Sequence, residues 1–252
     1  MSSDTKALEV TGLCKAFGAV VVAEDVTFSV TKGSAFGIIG PNGAGKTTLF
    51  NLVTGTLKAD AGAVRLFGQD VSALSARARC DLGIARSFQV PQPFSHMTAF
   101  ENVLTAAAFG RGISESAAWP FAEEALDRCG LNRKSNTLAG ALTLLDLKRL
   151  ELARALATDP KLLMLDEIAG GLTEAECHDL IKLIKDIHQS GTTIIWIEHV
   201  LHALLAVVDH VMVLDFGKLI ASGHPDEIMK DPQVAAVYLG PDAEELEAHA
   251  HG

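Results

Sequence analysis

Short apolar runs alternate with amphipathic stretches along most of the chain. Near the start, "ALEVTGLCKAF" and "VVAEDVTFSV" carry apolar residues at alternate positions, which predicts two short strands around a turn. Compact apolar runs follow at "SAFGIIG", "KLLMLDE" and "TTIIWIEH". Runs this short and this apolar predict strands that are buried on both faces.

The second half of the chain adds helices between the predicted strands. "AGAVRLFGQDV" resembles one short strand, and "HVMVLDFGKLI" resembles another. Apolar residues recur at helical spacing in "EAECHDLIKLIKDIHQSG", which lies between two of the strands. Strands that alternate with helices predict an α/β fold with a parallel sheet covered on both faces.

Two segments depart from this alternation. Residues 91–157 contain alanine-rich amphipathic patterns such as "AAWPFAEEALDRCG", which predict an inserted helical subdomain. Residues 241–252 are acidic and include His249 and His251, so we expect a flexible, solvated tail. The organisation predicted from the pattern is therefore one α/β domain over residues 1–240, with a small N-terminal antiparallel β subdomain.

Composition narrows the functional classes. The chain has 252 residues, of which 48% are hydrophobic, so a large core can be buried. It has 21 basic and 31 acidic residues and a net charge of −10, which argues against nucleic acid as a partner. Its apolar runs are shorter than the roughly 18 residues that a membrane-spanning helix needs.

The stretch "GPNGAGKTT", Gly40–Thr48, fits the phosphate-loop pattern G-x-x-x-x-G-K-[ST] and stands between a predicted strand and a predicted helix. Glycines allow the backbone to curl so that successive N–H groups point at an anion. The lysine is expected to reach the β- and γ-phosphates of ATP, and the following threonine to ligate Mg²⁺. The predicted nucleotide-binding residues of this loop are Gly40, Asn42, Gly43, Ala44, Gly45, Lys46, Thr47 and Thr48.

Acidic residues end two of the predicted buried strands. Asp166 and Glu167 close "LLMLDE", where Asp166 can hold Mg²⁺ and Glu167 can activate the attacking water as general base. Glu198 and His199 close "IIWIEH". His199 at that place is expected to touch the γ-phosphate and keep the water in line, although a structural histidine at a strand end is the alternative.

The order of "GPNGAGKTT", "SFQ", "LARAL", "LLMLDE" and "IIWIEH" resembles the nucleotide-binding subunits of ABC transporters over nearly the whole chain. Within that family, "FGAVVVAEDVTFSV", "GKTTLFNLVTG", "GIARSFQVPQPFSHMTAFENVL" and the ending "VYLG" resemble the LivG-type ATPases of branched-chain amino acid importers. The resemblance implies a P-loop NTPase fold with a RecA-like core. It also implies that ATP and Mg²⁺ are the cofactors.

The resemblance assigns further roles. Phe17 matches the aromatic residue that stacks on adenine, although its pattern alone predicts a core phenylalanine. Val22 stands where relatives pack against the nucleotide, and Gln89 matches the glutamine that senses Mg²⁺ and the attacking water. Residues Val90–Val103 match the surface that receives a coupling helix of the membrane subunit. Packing of this loop within the chain explains its apolar residues equally well.

One motif departs from the family pattern. Relatives carry Leu-Ser-Gly-Gly-Gln at the loop that meets the ATP of the neighbouring subunit, whereas this chain has Leu142–Asp146, "LTLLD". Leu145 replaces a glycine, and Asp146 is expected to bring negative charge near a phosphate. Thr143 and Asp146 also have capping-box spacing, so the segment can simply begin a helix. Two interpretations stay open: the altered loop contacts the neighbour's phosphate less well, or the change is a local variation without that effect.

The resemblance predicts an ATPase subunit at the cytoplasmic face of the inner membrane. Its expected partners are a LivF-type ATPase or a second copy, two permease subunits and, indirectly, an extracytoplasmic solute-binding protein. We hypothesise an asymmetric heterodimer, because the altered loop would contact the ATP bound by the neighbouring subunit and not the ATP bound by this chain. The alternatives are a lipopolysaccharide-export ATPase, an ABC protein of translation or DNA repair, and a subunit that binds ATP without hydrolysing it.

Overall fold

The computed structural model describes residues 5–238, so the expected tail 241–252 with His249 and His251 lies outside the described residues. Within them, the strands in chain order are β1 (Lys6–Phe17), β2 (Val20–Thr31), β3 (Ala35–Ile39), β4 (Ala61–Leu66), β5 (Gln69–Asp70), β6 (Ile84–Arg86), β7 (Leu162–Asp166), β8 (Thr193–Ile197), β9 (His210–Asp215) and β10 (Lys218–Gly223). They form two sheets.

The smaller sheet is antiparallel and has the order β2-β1-β4-β5. The two strands predicted as short are each 12 residues long, and several register shifts bend them along their length. The single strand predicted at "AGAVRLFGQDV" is a hairpin instead. Phe67 and Gly68 both adopt positive φ between β4 and β5, which is the conformation that a tight hairpin turn requires.

The larger sheet has the order β10-β9-β3-β8-β7-β6, and all its neighbours are parallel except β9 and β10. Every residue of β3, β7 and β8 is buried, as expected for strands covered on both faces. Because these three strands are parallel neighbours, their carboxyl ends bring Gly40, Asp166 and Glu198 to one edge of the sheet. The candidate site residues therefore lie at this edge of the sheet.

The helices in chain order are α1 (Lys46–Thr54), α2 (Ala76–Asp81), α3 (Ala99–Arg111), α4 (Glu115–Arg128), α5 (Leu144–Ala157), α6 (Glu174–Gln189), α7 (Leu201–Leu205), α8 (Pro225–Ile228) and α9 (Pro232–Tyr238). In the segment predicted to be helical, α3, α4 and α5 pack on one another. None of the helices in residues 5–238 is long and apolar enough to cross a membrane.

The larger sheet separates two hydrophobic cores. Along β8, Ile194 and Trp196 belong to the core beneath α5 and α6, whereas Ile195 and Ile197 belong to the core beneath α1 and the antiparallel sheet. This alternation is the two-residue period of a strand buried on both faces. The predicted α/β fold, with its parallel sheet, antiparallel N-terminal sheet and inserted helices, is confirmed.

Candidate active site

The phosphate loop connects β3 to α1. Gly43 and Gly45 have φ of 84° and 99°, a left-handed conformation that residues with a Cβ rarely adopt. A Cβ on Gly45 would also run into the carbonyl oxygen of Val22, so this position needs glycine for two reasons. Val22 therefore supports the loop with its backbone, beside the place where the sequence predicted a nucleotide contact.

Lys46, the first residue of α1, is 5% exposed. Its ammonium group donates hydrogen bonds to the carbonyl oxygens of Gly40 at 2.6 Å and Pro41 at 3.0 Å. Burial lowers the pKa of Lys46, and the nearby carboxylates of Glu167 and Asp166 oppose that shift. A cation held inside a loop of inward-curled backbone is suited to bind an anion there.

The other predicted residues of the loop differ in how far their side chains are exposed to a ligand. Asn42 and Thr47 are exposed, whereas the side chain of Ala44 is buried and leaves only its backbone for a ligand. Thr48 is half-buried. The hydroxyl of Thr47 is thus an accessible oxygen ligand that the loop itself can offer to a metal ion.

Phe17 lies at the end of β1 and is 52% exposed. The ammonium of Lys15 lies 5.3 Å from the centre of its ring. The ring is therefore on the surface and available for stacking, and the prediction of a core phenylalanine from the local pattern is wrong.

Glu167 brings the predicted catalytic side chains together. One carboxylate oxygen accepts a hydrogen bond from the amide nitrogen of Gln89, and the other lies 2.8 Å from Nε2 of His199. Since a carboxylate only accepts, Nε2 of His199 is the donor of this bond. Glu167 has a φ of 47°, and its N–H donates to Ile197 at 2.8 Å. Such conformations are strained and are common at active sites.

Asp166 is 2% exposed and lies beside this cluster. Its Oδ2 accepts a hydrogen bond from Arg86 at 2.5 Å, while Oδ1 has no hydrogen-bond partner within the described residues. Burial raises the pKa of Asp166 despite the ion pair with Arg86. A buried carboxylate oxygen without a donor is well suited to face a metal ion or its water.

These residues fit Mg²⁺. The Oδ1 atom of Asp166, the exposed hydroxyl of Thr47 and the amide oxygen of Gln89 are hard oxygen donors of the kind this ion prefers. Gln89 uses its amide nitrogen toward Glu167, which leaves the amide oxygen for other contacts.

The sequence patterns gave no role to three charged residues around the site, of which Lys148 and Glu198 are buried and Arg86 is half-buried. Arg86 joins Asp166 to Asn51 of α1, whose Oδ1 it contacts at 2.5 Å. Lys148 and Glu198 are 3% and 2% exposed and contact the backbone of the catalytic residues. A charged residue at the end of an otherwise apolar strand, as at Arg86 and Glu198, was the available signal.

The Leu142–Asp146 segment forms the start of α5. The hydroxyl of Thr143 accepts a hydrogen bond from the N–H of Asp146 at 3.3 Å and donates to its carboxylate at 2.7 Å. That carboxylate is buried and also forms an ion pair with Lys134. The expectation that Asp146 brings negative charge near a phosphate is therefore wrong, because its charge points inward and is neutralised by a cation twelve residues upstream.

The Asp146→Asn variant should lose about 1–3 kcal/mol of free energy of unfolding at neutral pH, since it loses charged hydrogen bonds. Burial alone would raise the pKa of Asp146, but the bonds from Lys134 and Thr143 bring it below its ordinary value of 3.8. A lowered pKa stabilises the fold above 3.8 and loses this effect as the pH falls further.

Denaturant unfolding of the wild type and of Asp146→Asn at pH 7 and in acid checks this expectation. The difference between the two proteins should shrink as the solution becomes acidic. Asp186→Asn, at an exposed carboxylate of α6 that has no ion pair within the described residues, is the matched control. A difference that is independent of pH would contradict the ion pair as its source.

Comparison with known proteins shows the family to which the chain belongs. Residues 23–170 match the family described as ABC transporter, and residues 218–242 match the one described as branched-chain amino acid ATP-binding cassette transporter. The chain is 36% identical to the high-affinity branched-chain amino acid transport ATP-binding protein BraF of Pseudomonas aeruginosa, across 92% of this chain and 97% of that protein. It is 32% identical to the lipopolysaccharide export system ATP-binding protein LptB of Haemophilus influenzae, across 90% and 95%.

Solved structures give the same result. A nucleotide-free ATP-binding cassette from an ABC transporter superimposes with a TM-score of 0.86 at 33% identity, covering 93% of this chain and 99% of that one. A cassette in its ADP conformation superimposes with a TM-score of 0.85, also at 33% identity, with the same coverage of both chains.

Proposed function

Because this chain belongs to the ABC transporter family of ATP-binding proteins, we propose that it is the ATPase subunit of an importer for branched-chain amino acids or related small polar solutes. The observation that carries the proposal is the meeting of Gln89, Glu167 and His199 at the strand edge that also carries the phosphate loop. A base, its orienting histidine and an amide sensor stand together where a terminal phosphate is to be cleaved.

Each residue has a defined role in this proposal. Backbone N–H groups of Gly40–Thr48 and the ammonium of Lys46 hold the phosphates, while Phe17 stacks on the base. Glu167 takes a proton from the attacking water, and His199 keeps the carboxylate oriented through its 2.8 Å contact. Thr47, Asp166 and Gln89 would hold Mg²⁺, which when bound would supply positive charge against the phosphates.

The importer assignment rests on two comparisons. Residues 218–242 of this chain match the branched-chain family, and the chain is more similar in sequence to BraF than to LptB. The lipopolysaccharide exporter is therefore the less favoured alternative. We place the subunit at the cytoplasmic face of the membrane, as part of a complex with two permease subunits and an external solute-binding protein.

The surface for the permease includes the loop that follows Gln89. Large apolar side chains are exposed on both sides of Gln89, with Phe88 at 51%, Val90 at 64% and Phe94 at 50%. Phe88 also lines a cavity of about 240 Å³ between α2, α3 and α5, together with Arg154. Exposed apolar side chains beside a groove are typical of a surface that binds another protein. This surface surrounds Gln89, which belongs to the proposed catalytic cluster.

ATP-driven uptake tests the function. The full chain would be co-expressed with the products of its neighbouring genes, and the complex reconstituted in vesicles with its solute-binding protein. We expect uptake of labelled leucine that needs internal Mg-ATP and is lost with Glu167→Gln. Uptake that survives this substitution, or a complex that instead extracts lipopolysaccharide, would refute the importer assignment.

The dimer proposed here is asymmetric. The residues that hold this chain's own ATP are complete, but the Thr143 hydroxyl hydrogen is already donated to Asp146 within the chain. Leu144, 41% exposed, and Leu145 stand where relatives have glycine. Both features weaken the contact that this chain can make with a neighbour's phosphate, which favours a LivF-type partner over a second copy.

The mixed dimer should therefore hydrolyse ATP several times faster than this chain alone, because in the mixture the partner supplies an unaltered loop to this chain's site. Phosphate release would be measured for this chain, for the partner and for an equimolar mixture at equal total concentration. Equal rates for this chain alone and for the mixture would show that a homodimer suffices.

A further inference from the structure

Two charged side chains lie deep beneath the catalytic cluster. Glu198 follows β8 and is 2% exposed, and Lys148 lies in α5 and is 3% exposed. Burying a charge is costly unless it is paired and hydrogen-bonded. Neither residue has a role in the proposed chemistry. Their hydrogen bonds to the backbone of the site explain why these two charges are buried.

The carboxylate of Glu198 connects two loops of the site. Its Oε1 accepts hydrogen bonds from the N–H groups of His199 at 2.9 Å and Val200 at 3.3 Å. Its Oε2 accepts a bond from the N–H of Ala169 at 2.9 Å. One side chain therefore fixes both the backbone of the catalytic histidine and the turn that follows Glu167.

Lys148 acts on the third catalytic residue. Its ammonium donates a 2.7 Å hydrogen bond to the backbone carbonyl oxygen of Gln89. Burial lowers the pKa of Lys148, and the carboxylates of Glu198, Glu167 and Glu151 oppose the shift. The lysine is thus a cation among carboxylates, which compensates part of the buried negative charge.

We propose that Glu198 and Lys148 are positioning residues for ATP hydrolysis, an inference that rests on the proposed ATPase function. Together they hold the backbone of Gln89, of His199 and of the turn after Glu167, so that all three side chains converge. Lys148 also lies one turn into the helix that begins at Thr143, which links the surface offered to the neighbouring subunit with Gln89.

The variants Glu198→Gln and Lys148→Met test the inference. A glutamine has one acceptor oxygen, so its NH₂ group would face either the N–H of Ala169 or those of His199 and Val200. We expect kcat to fall by about 10- to 100-fold, as for other groups that orient catalytic residues. The Kd for metal-free ATP should stay unchanged, because neither side chain is hydrogen-bonded to the phosphate loop or to Phe17 within the described residues.

Conservative and exposed replacements complete the design. Lys148→Arg keeps a cationic donor and should recover most of the lost kcat. Glu123→Gln and Lys182→Met change the same residue types at exposed helix positions and should behave as wild type. Melting temperature and a fluorescent ATP analogue would be measured for every variant of the full chain in its complex.

The outcomes separate the two proposals. A wild-type complex without ATPase activity would refute the proposed function itself. An active wild type whose Glu198→Gln and Lys148→Met variants retain full kcat would overturn the positioning role. So would a loss of nucleotide affinity and melting temperature in proportion to kcat, since that pattern indicates general damage to the fold.

Discussion

Replacing Glu167 with Gln should reduce the ATPase rate by about 10²- to 10⁴-fold, the contribution typical of general base catalysis. The amide has nearly the same shape and can still contact Gln89 and His199, but it cannot take a proton from water. Nucleotide binding should persist, because the phosphate loop and Phe17 are untouched. We therefore expect ATP to accumulate on the protein without being cleaved.

Phosphate release and equilibrium binding of Mg-ATP, measured on the same preparation, check both halves of this expectation. Glu174→Gln, at an exposed position in the first turn of α6, removes the same charge nearby and should leave the rate unchanged. Retention of wild-type turnover in Glu167→Gln would show that another group activates the water.

Much of this architecture could be predicted from short patterns. The phosphate loop, the acidic strand end at Asp166 and the histidine at the next strand end each combine a local motif with a buried strand. Because parallel strands end at the same edge, the sequence also predicted that these groups meet. Their actual contacts, such as that of His199 with Glu167, agree with the expected arrangement.

The surroundings of the site were less predictable for a physical reason. Lys148 lies in a helix whose charged pattern resembles a solvated face, yet tertiary packing buries it against Gln89. The orientation of Asp146 likewise depends on Lys134, which comes from a separate turn. Sequence spacing records which residues are adjacent on one element, but not which neighbouring element covers them.

Replacing Lys46 with Met should weaken Mg-ATP binding by about 10- to 150-fold, which corresponds to a charged hydrogen bond of about 1.5–3 kcal/mol. The ammonium is 5% exposed and already lies inside the loop, held by Gly40 and Pro41. A ligand phosphate therefore meets a cation that is in place before binding. Methionine has similar length but offers the anion nothing.

The same variant should stay folded, because losing two hydrogen bonds to carbonyl oxygens is offset by removing a buried cation. Burial lowers the pKa of Lys46, so the folded state disfavours its charge and gains stability as the pH rises towards 10.5. The methionine variant lacks this gain. The free energy of unfolding of the wild type should therefore increase relative to that of the variant as the pH rises towards 10.5.

Titration with a fluorescent ATP analogue and denaturant unfolding at two pH values separate these effects. Lys58→Met, at an exposed position shortly after the C-terminal end of α1, is the matched control for the loss of one positive charge. If Lys46→Met and Lys58→Met bind Mg-ATP equally well, the loop does not use its lysine as an anion ligand. If instead only Lys46→Met loses affinity while both remain folded, the buried ammonium is the group that binds the phosphates, because overall charge and stability are then matched.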